Sequence, residues 1–289
     1  METELPVRDP TCLYLYGIVP AAPLELSAVK GVEGGCDVSL VGFEDLACAV
    51  SPVPLSEYGE QGMTAHAQEL DWIAPRALRH QDVVQRLRQA GPVIPLKFGA
   101  LCSTREKVRE MLQKHHQPLL GLLERLRGRE EWGVRVYADP DLASRALEGA
   151  GPGARAINQG MSLASEGEAY FLRKRKQQLV SQQQDLFLSG LGDEIYQRLL
   201  GCVVDGRKSR FGDASPQTAR LTVLKAAFLV DEQEAAQFQS AIGQLEADYR
   251  DYGVTIELSG PWAPYSFCGD LTQAAASNGA GGAGAPCAG

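Results

Sequence analysis

Residues 220–230 read RLTVLKAAFLV. β-branched and large apolar residues crowd this stretch, and it is the firmest strand in the chain. Just after it, Ala235, Phe238, Ile242, Leu245 and Tyr249 recur at steps of three and four, one face of a helix over 232–250. VTIELS at 254–259 follows as a strand. Working backwards, WGVRVYA at 132–138 alternates as a strand. Leu172, Leu179, Phe187, Leu191, Ile195 and Leu199 predict a long helix over 166–200, closed by Gly201. CVVDG, from Cys202, opens a further strand. The order is strand, helix, strand, strand, helix, strand. This is the ferredoxin-like βαββαβ arrangement, in which two helices cover one face of a sheet.

The first half is less regular. CLYLYGIV at 12–19 predicts a strand that Pro20 and Pro23 stop. CDVSLV (36–41) and LACAV (46–50) flank a hairpin turn, Gly42-Phe43-Glu44-Asp45, and Pro52 and Pro54 close the pair. His66, Leu70, Ile73, Ala77, His80, Val84 and Leu87 predict one apolar face of a helical region over 64–90. Pro75 is expected to kink it or to open a second helix. VIPLKF at 93–98 reads as a strand, with Pro95 placing it at an edge or a bulge. Ser103-Thr-Arg-Glu106 matches a capping box for a helix to residue 127, which Pro118 is expected to break or bend. This half predicts a related α/β unit without a full first helix.

The fold class is therefore α/β (α+β). It divides into a flexible segment 1–11, an N-terminal α/β unit 12–130, a ferredoxin-like unit 131–260, a strap 261–270 and a Gly/Ala-rich tail 271–289. The tail is expected to be disordered, because its composition cannot bury a core. Across the 289 residues, 28 Lys+Arg stand against 36 Asp+Glu, a formal charge of −8. That balance argues against a nucleic-acid partner, which calls for a basic stripe. No apolar run approaches the ~20 residues of a membrane span. The acidic METELPVRDP start lacks signal-peptide features, so a cytoplasmic location is expected. Cys12, Cys36, Cys48, Cys102, Cys202, Cys268 and Cys287 are scattered, without a C-x-x-C pair. Neither a disulfide framework nor a zinc site looks like that.

Candidate chemistry is sparse. His66 and His80 would lie ~21 Å apart on a straight helix, too far to share a metal ion. His115 and His116 are adjacent and, on a helix, point about 100° apart. Cys102 sits before a helix N-terminus, but thiolate chemistry needs a lowered pKa and a base that the sequence does not identify. No catalytic set, cofactor or metal ligand set is expected. The basic run Arg173-Lys174-Arg175-Lys176 reads as a solvated helical face or as a surface for an acidic partner. The segment Gly260-Pro-Trp-Ala-Pro-Tyr-Ser-Phe267 is a stiff strap, since its prolines forbid a helix. Its Trp262, Tyr265 and Phe267 either fold back over the open sheet face as core or, with Pro264, present a contact surface to a partner.

Four ordered landmarks resemble the gas-vesicle F/L family. Tyr14-Leu15-Tyr16-Gly17-Ile18 is similar to that family's Y-L-Y-G-I start, and Val93-Ile-Pro-Leu-Lys-Phe-Gly99 to its V-L-P-[LV]-[RK]-F-G strand. Ala226-Ala-Phe-Leu-Val230 resembles its A-A-F-L-V strand, and residues 260–267 its terminal G-P-W-P-P-Y-S-F. Ala263 departs from the usual proline. The resemblance implies a two-part α/β protein with a ferredoxin-like portion, no cofactor and no established catalysis. It also implies work in gas-vesicle assembly, as a minor structural or accessory component. The implied partners are the main shell protein and other gas-vesicle accessory proteins. The alternative, a small-ligand-sensing regulatory module, rests on fold analogy.

Overall fold

The computed structural model describes residues 9–22, 26, 29–150, 166–209 and 220–269. The chain forms two compact units, Met1–Glu130 with Trp262–Gly289, and Glu131–Pro261. The tail from 270 with Cys287, the lead-in 1–8 and residues 151–165 lie outside the described residues.

The first unit is built on β1 (Thr11–Pro20), β2 (Ser39–Phe43), β3 (Leu46–Pro54), β4 (Ile94–Pro95) and β5 (Leu101–Cys102). Its sheet order is β2-β3-β1-β4, with β5 also pairing with β1. Helices α1 (Leu55–Tyr58), α2 (Glu60–Ala65) and α3 (Leu70–Ala90) follow β3, and α4 (Arg105–Lys114) and α5 (His116–Leu126) follow β5. The register of β1 against β3 slips between Leu15 and Gly17, opposite Val50 and Ala49, so Tyr16 is an extra, bulged residue. A bulge shifts the alternation of the residues after it. Val19, rather than Ile18, therefore joins Cys12, Tyr14 and Tyr16 in the core cluster that meets Val83, Val84 and Leu87 of α3.

The second unit comprises β6 (Arg129–Ala138), α6 (Pro140–Ala150), α7 (Glu166–Leu200), β7 (Asp205–Lys208), β8 (Leu221–Asp231), α8 (Ala235–Tyr249) and β9 (Val254–Trp262). Its sheet order is β7-β8-β6-β9. Counting strands along the chain, that is second, third, first, fourth: the ferredoxin-like order predicted from 132–259. Alternate residues Trp132, Val134 and Val136 of β6 and Leu224, Ala226 and Phe228 of β8 pack beneath Leu191 and Ile195 of α7 and Phe238 and Ile242 of α8. Gly192 allows this approach: a Cβ there would stand 2.0 Å from the carbonyl oxygen of Val223.

Several boundaries differ from expectation, each for a physical reason. β3 runs through Pro52 and Pro54 instead of ending before them. β2 reaches only to Val50, so beyond it no strand among the described residues meets the outward side of β3 and the missing amides cost nothing. The helical region 64–90 divides into α2 and α3, and α3 contains Pro75. Its buried face is His80, Val83, Val84 and Leu87, while Leu70 is 76% exposed and the predicted stripe leaves the core at that end. The 93–98 strand shrinks to Ile94–Pro95, at the sheet edge as its proline requires. The helix cap falls on Thr104, not Ser103: the Thr104 hydroxyl accepts from the Lys107 amide at 3.2 Å. Of the two outcomes expected at Pro118, the helix breaks, at His115, because Pro118 takes a first-turn position of α5, where no amide is needed. α6 was not foreseen, and β7 begins at Asp205 instead of Cys202. β9 continues to Trp262, and the strap then makes one 3₁₀ turn, Tyr265–Phe267, instead of running extended throughout.

Candidate functional site

The most connected group of side chains lies inside the first unit. β1 supplies Tyr14 and Tyr16, α3 supplies His80, the turn before β5 supplies Phe98, and the strap supplies Tyr265. The His80 ring lies 5.7 Å from the Tyr16 ring, nearly parallel to it, and meets Tyr14 and Phe98 edge-on at 5.6 and 5.9 Å. The Tyr14 hydroxyl accepts from the Gly99 amide at 3.0 Å and stands 3.0 Å from His80 Nδ1. Its own proton is thus free to donate to Nδ1. Nε2–H then donates to the Tyr265 hydroxyl at 3.1 Å, an assignment that satisfies both ring nitrogens. Burial pushes the His80 pKa down to about 4, against a smaller opposing pull from the Leu96 carbonyl. Burial likewise raises the Tyr14 and Tyr16 phenols. A neutral imidazole bonded on both sides works here as a structural tie between β1, α3 and the strap.

A loop over 29–38 closes this cluster on the side where a first helix would lie. Val29, Val32 and Val38 join the core. The Val32 amide donates to the Tyr16 hydroxyl at 2.8 Å, and that hydroxyl also stands 2.8 Å from Ser51 Oγ. Arg79 donates to the Val32 carbonyl at 2.9 Å. Glu33 accepts from Tyr58 at 2.5 Å and from Arg76 at 3.1 Å. The Arg76 guanidinium lies 4.2 Å from the centre of the Trp72 ring, and Trp72 in turn donates to Glu57 at 3.1 Å. Gly31 is required by the fit: a Cβ there would stand 2.5 Å from Ser51 Oγ and 2.8 Å from the Tyr16 hydroxyl.

The residues singled out in the sequence fall as follows. Trp262 is 44% exposed. Pro264 is buried, Phe267 is 3% exposed, and Tyr265 is half-buried against the first unit's core, which also takes in Ala263. Lys174 and Arg175 are exposed on α7, near exposed Tyr170 and Phe171. The side chains of Arg173 and Lys176 lie outside the described residues. His66 stacks on Trp72 at 4.5 Å and pairs with Glu69. Cys102 is buried, and burial raises its thiol, so it is held as the protonated form and not as a thiolate. His116 meets Glu44 and Asp45 from the β2–β3 turn. The sequence had no signal for that convergence, because the partners are 71 positions apart.

Together these features define a two-unit α+β protein with a ferredoxin-like second unit and a first unit tied by its C-terminal strap. The family described as gas vesicle synthesis protein GvpL/GvpF matches residues 12–269, and the chain belongs to that family. It is 33% identical over 265 residues to the gas vesicle protein L of Streptomyces sp. (strain CB03234), covering 89% of this chain and 92% of that one. It is 24% identical over 257 residues to the gas vesicle protein F1 of Halobacterium salinarum, covering 88% of this chain and 92% of that one. The crystal structure of the gas vesicle protein GvpF from Anabaena sp. PCC7120 shares the fold, with a TM-score of 0.63 at 19% identity, over 89% of this chain and 96% of that one. The chain thus takes its place among proteins of gas-vesicle formation, a family not known for catalysis. Among the described residues no helix is long and apolar enough to cross a membrane.

The spatial arrangement gives the sequence landmarks a common purpose. Three of the four contribute to the cluster around His80: Tyr14 and Tyr16, Phe98 and Gly99, and Tyr265. The fourth, Ala226–Val230, runs through the core of the second unit.

Proposed function

We propose that this chain is a cytoplasmic gas-vesicle assembly protein, a minor structural or accessory component that holds the main shell protein before it joins the growing shell. The family match over residues 12–269 carries this reading. A small, very apolar shell protein aggregates when its surface is left in water, so a folded partner that covers it has a clear physical task. The contact we assign centres on exposed Trp262. Pro264 and Phe267 anchor it from inside the first unit, and Tyr265 ties it to His80. The basic run Arg173–Lys176 offers a second contact, for acidic segments of the shell protein or of other accessory proteins.

Co-expression pull-down of the full chain with the shell protein and the accessory proteins tests this. The full chain should retain the shell protein, and Trp262→Ala should lower that retention without lowering the melting temperature. If neither the shell protein nor any accessory protein is retained, and vesicles stay intact after deletion of the gene, the reading fails.

A further inference from the structure

We propose that Glu44, Asp45 and His116 form a binding site for one divalent transition-metal ion, of the class of Co²⁺ or Zn²⁺, that staples the β2–β3 hairpin to the start of α5. The hairpin closes with Phe43 opposite Leu46, which leaves Glu44 and Asp45 as a two-residue turn. Glu44 holds a left-handed backbone, φ 50°, and the Asp45 carbonyl accepts from the Ala21 amide at 2.7 Å. Both carboxylates thereby project from a fixed turn. His116 arrives from the other side as the first residue of α5. Its side chain is only 15% exposed, and its ring meets Phe43 edge-on at 5.8 Å, so the imidazole is held in place.

The three donor atoms lie within 4.8 Å of one another. A metal with bonds of about 2.0–2.2 Å sets its ligands roughly 3.0–3.5 Å apart. His116 Nε2 to Glu44 Oε2, at 3.4 Å, already has that spacing. His116 Nε2 to Asp45 Oδ1, at 2.5 Å, is a hydrogen bond that opens by a small rotation of an exposed carboxylate. Two carboxylates alone would be a solvated acidic pair. The imidazole changes the chemistry, because it favours cobalt, nickel and zinc over magnesium and calcium. Gln117 Nε2 stands 3.4 Å from His116 Nδ1. With its amide turned, Gln117 accepts from Nδ1–H, the outer hydrogen bond that metal-bound imidazoles use. The remaining positions on the metal are open to water.

The test uses untagged, full-length protein stripped of metal and titrated with Co²⁺, followed by calorimetry and visible absorption. One equivalent should bind per chain, with ligand-field bands and no thiolate charge-transfer band. His116→Gln, Asp45→Asn and Glu44→Gln should each weaken binding at least about tenfold. Cys36→Ser, which removes an exposed thiol, should bind as the parent does. Co²⁺ should raise the melting temperature of the parent but not of His116→Gln. Absence of saturable binding, undiminished binding in either His116→Gln or Glu44→Gln, or a thiolate band abolished by Cys36→Ser would each overturn the site. Glu44 is exposed on a turn, so its variant keeps the test decisive should His116→Gln fold poorly.

Discussion

The two units set their four main strands in one order, second, third, first, fourth, yet they fill their interiors differently. In the second unit two full helices cover the sheet, and the core is almost wholly apolar, with Phe228 and Phe238 fully buried at its centre. In the first unit the described part of the connection from β1 to β2, residues 29–38, is a loop. Loop backbone carries amides and carbonyls that a helix would have satisfied internally, so a loop lying on a sheet needs polar partners from beneath. Tyr16 and Arg79 supply them at Val32, Ser51 holds the Tyr16 hydroxyl, and His80, stacked on Tyr16, joins the network to the strap. Replacing a covering helix by a loop turns an oily interior into a hydrogen-bonded aromatic one. Such an interior is costly to leave partly satisfied and correspondingly specific.

Four measurements would break or sharpen this contrast. The largest effect belongs to the oily core: Phe228→Ala should destabilise the second unit by about 3–5 kcal/mol. Hydrogen exchange should show peptides of 131–261 opening while those of 11–130 stay protected. Simultaneous opening of both would mean that the two interiors are not independent.

The next effect is a pH dependence confined to the first unit. His80 has a folded pKa of about 4 against an ordinary 6.5. Between those values the unfolded chain binds the extra proton, so stability is fully present above pH 6.5 and declines as pH falls towards 4. The full loss is about 3 kcal/mol. Denaturant titrations across this range should show the slope, and His80→Gln should flatten it. A slope that survives the substitution would remove His80 from the account.

Tyr16→Phe comes third. It leaves the buried Val32 amide and Ser51 hydroxyl without their shared partner, which costs about 1–3 kcal/mol. Exchange should quicken first at 29–38, and a uniform change across the unit would contradict the loop's dependence on that hydroxyl. Smallest is Thr104→Ala, the loss of an ordinary helix cap, expected near 1 kcal/mol by thermal melting. If it matched Tyr16→Phe, the polar interior would be no more demanding than a surface cap.

Legibility in the sequence follows the same division. The second unit's order could be read from 132–138, 166–200, 220–230, 232–250 and 254–259, because each strand and helix carries its own apolar period. α6 is harder to read: Leu142, Ala143, Ala146 and Leu147 do recur at helical spacing, but the run is short, rich in alanine and followed at once by the Gly-rich stretch from Gly149. In the first unit β1 was plain, but the bulge at Tyr16 was not, since alternation alone assigns Ile18 to the wrong face. The apolar spacing from His66 to Leu87 suggested one continuous buried stripe, whereas only its C-terminal half faces the core. The strap's composition left core and contact surface open as alternatives. The structure buries Phe267 and Pro264 and leaves Trp262 out.

By itself the sequence determined the strand and helix types, the ferredoxin-like order of residues 131–260 and, through four short landmarks, the family. These are properties of local propensity and of period, which neighbouring residues carry. Only the tertiary structure decided that three of those landmarks meet at His80, that the strap belongs with the first unit, and that His116 faces Glu44 and Asp45. Contacts between residues 66, 71 or 185 positions apart leave no period along the chain. They arise when strand order and register bring distant side chains to one place.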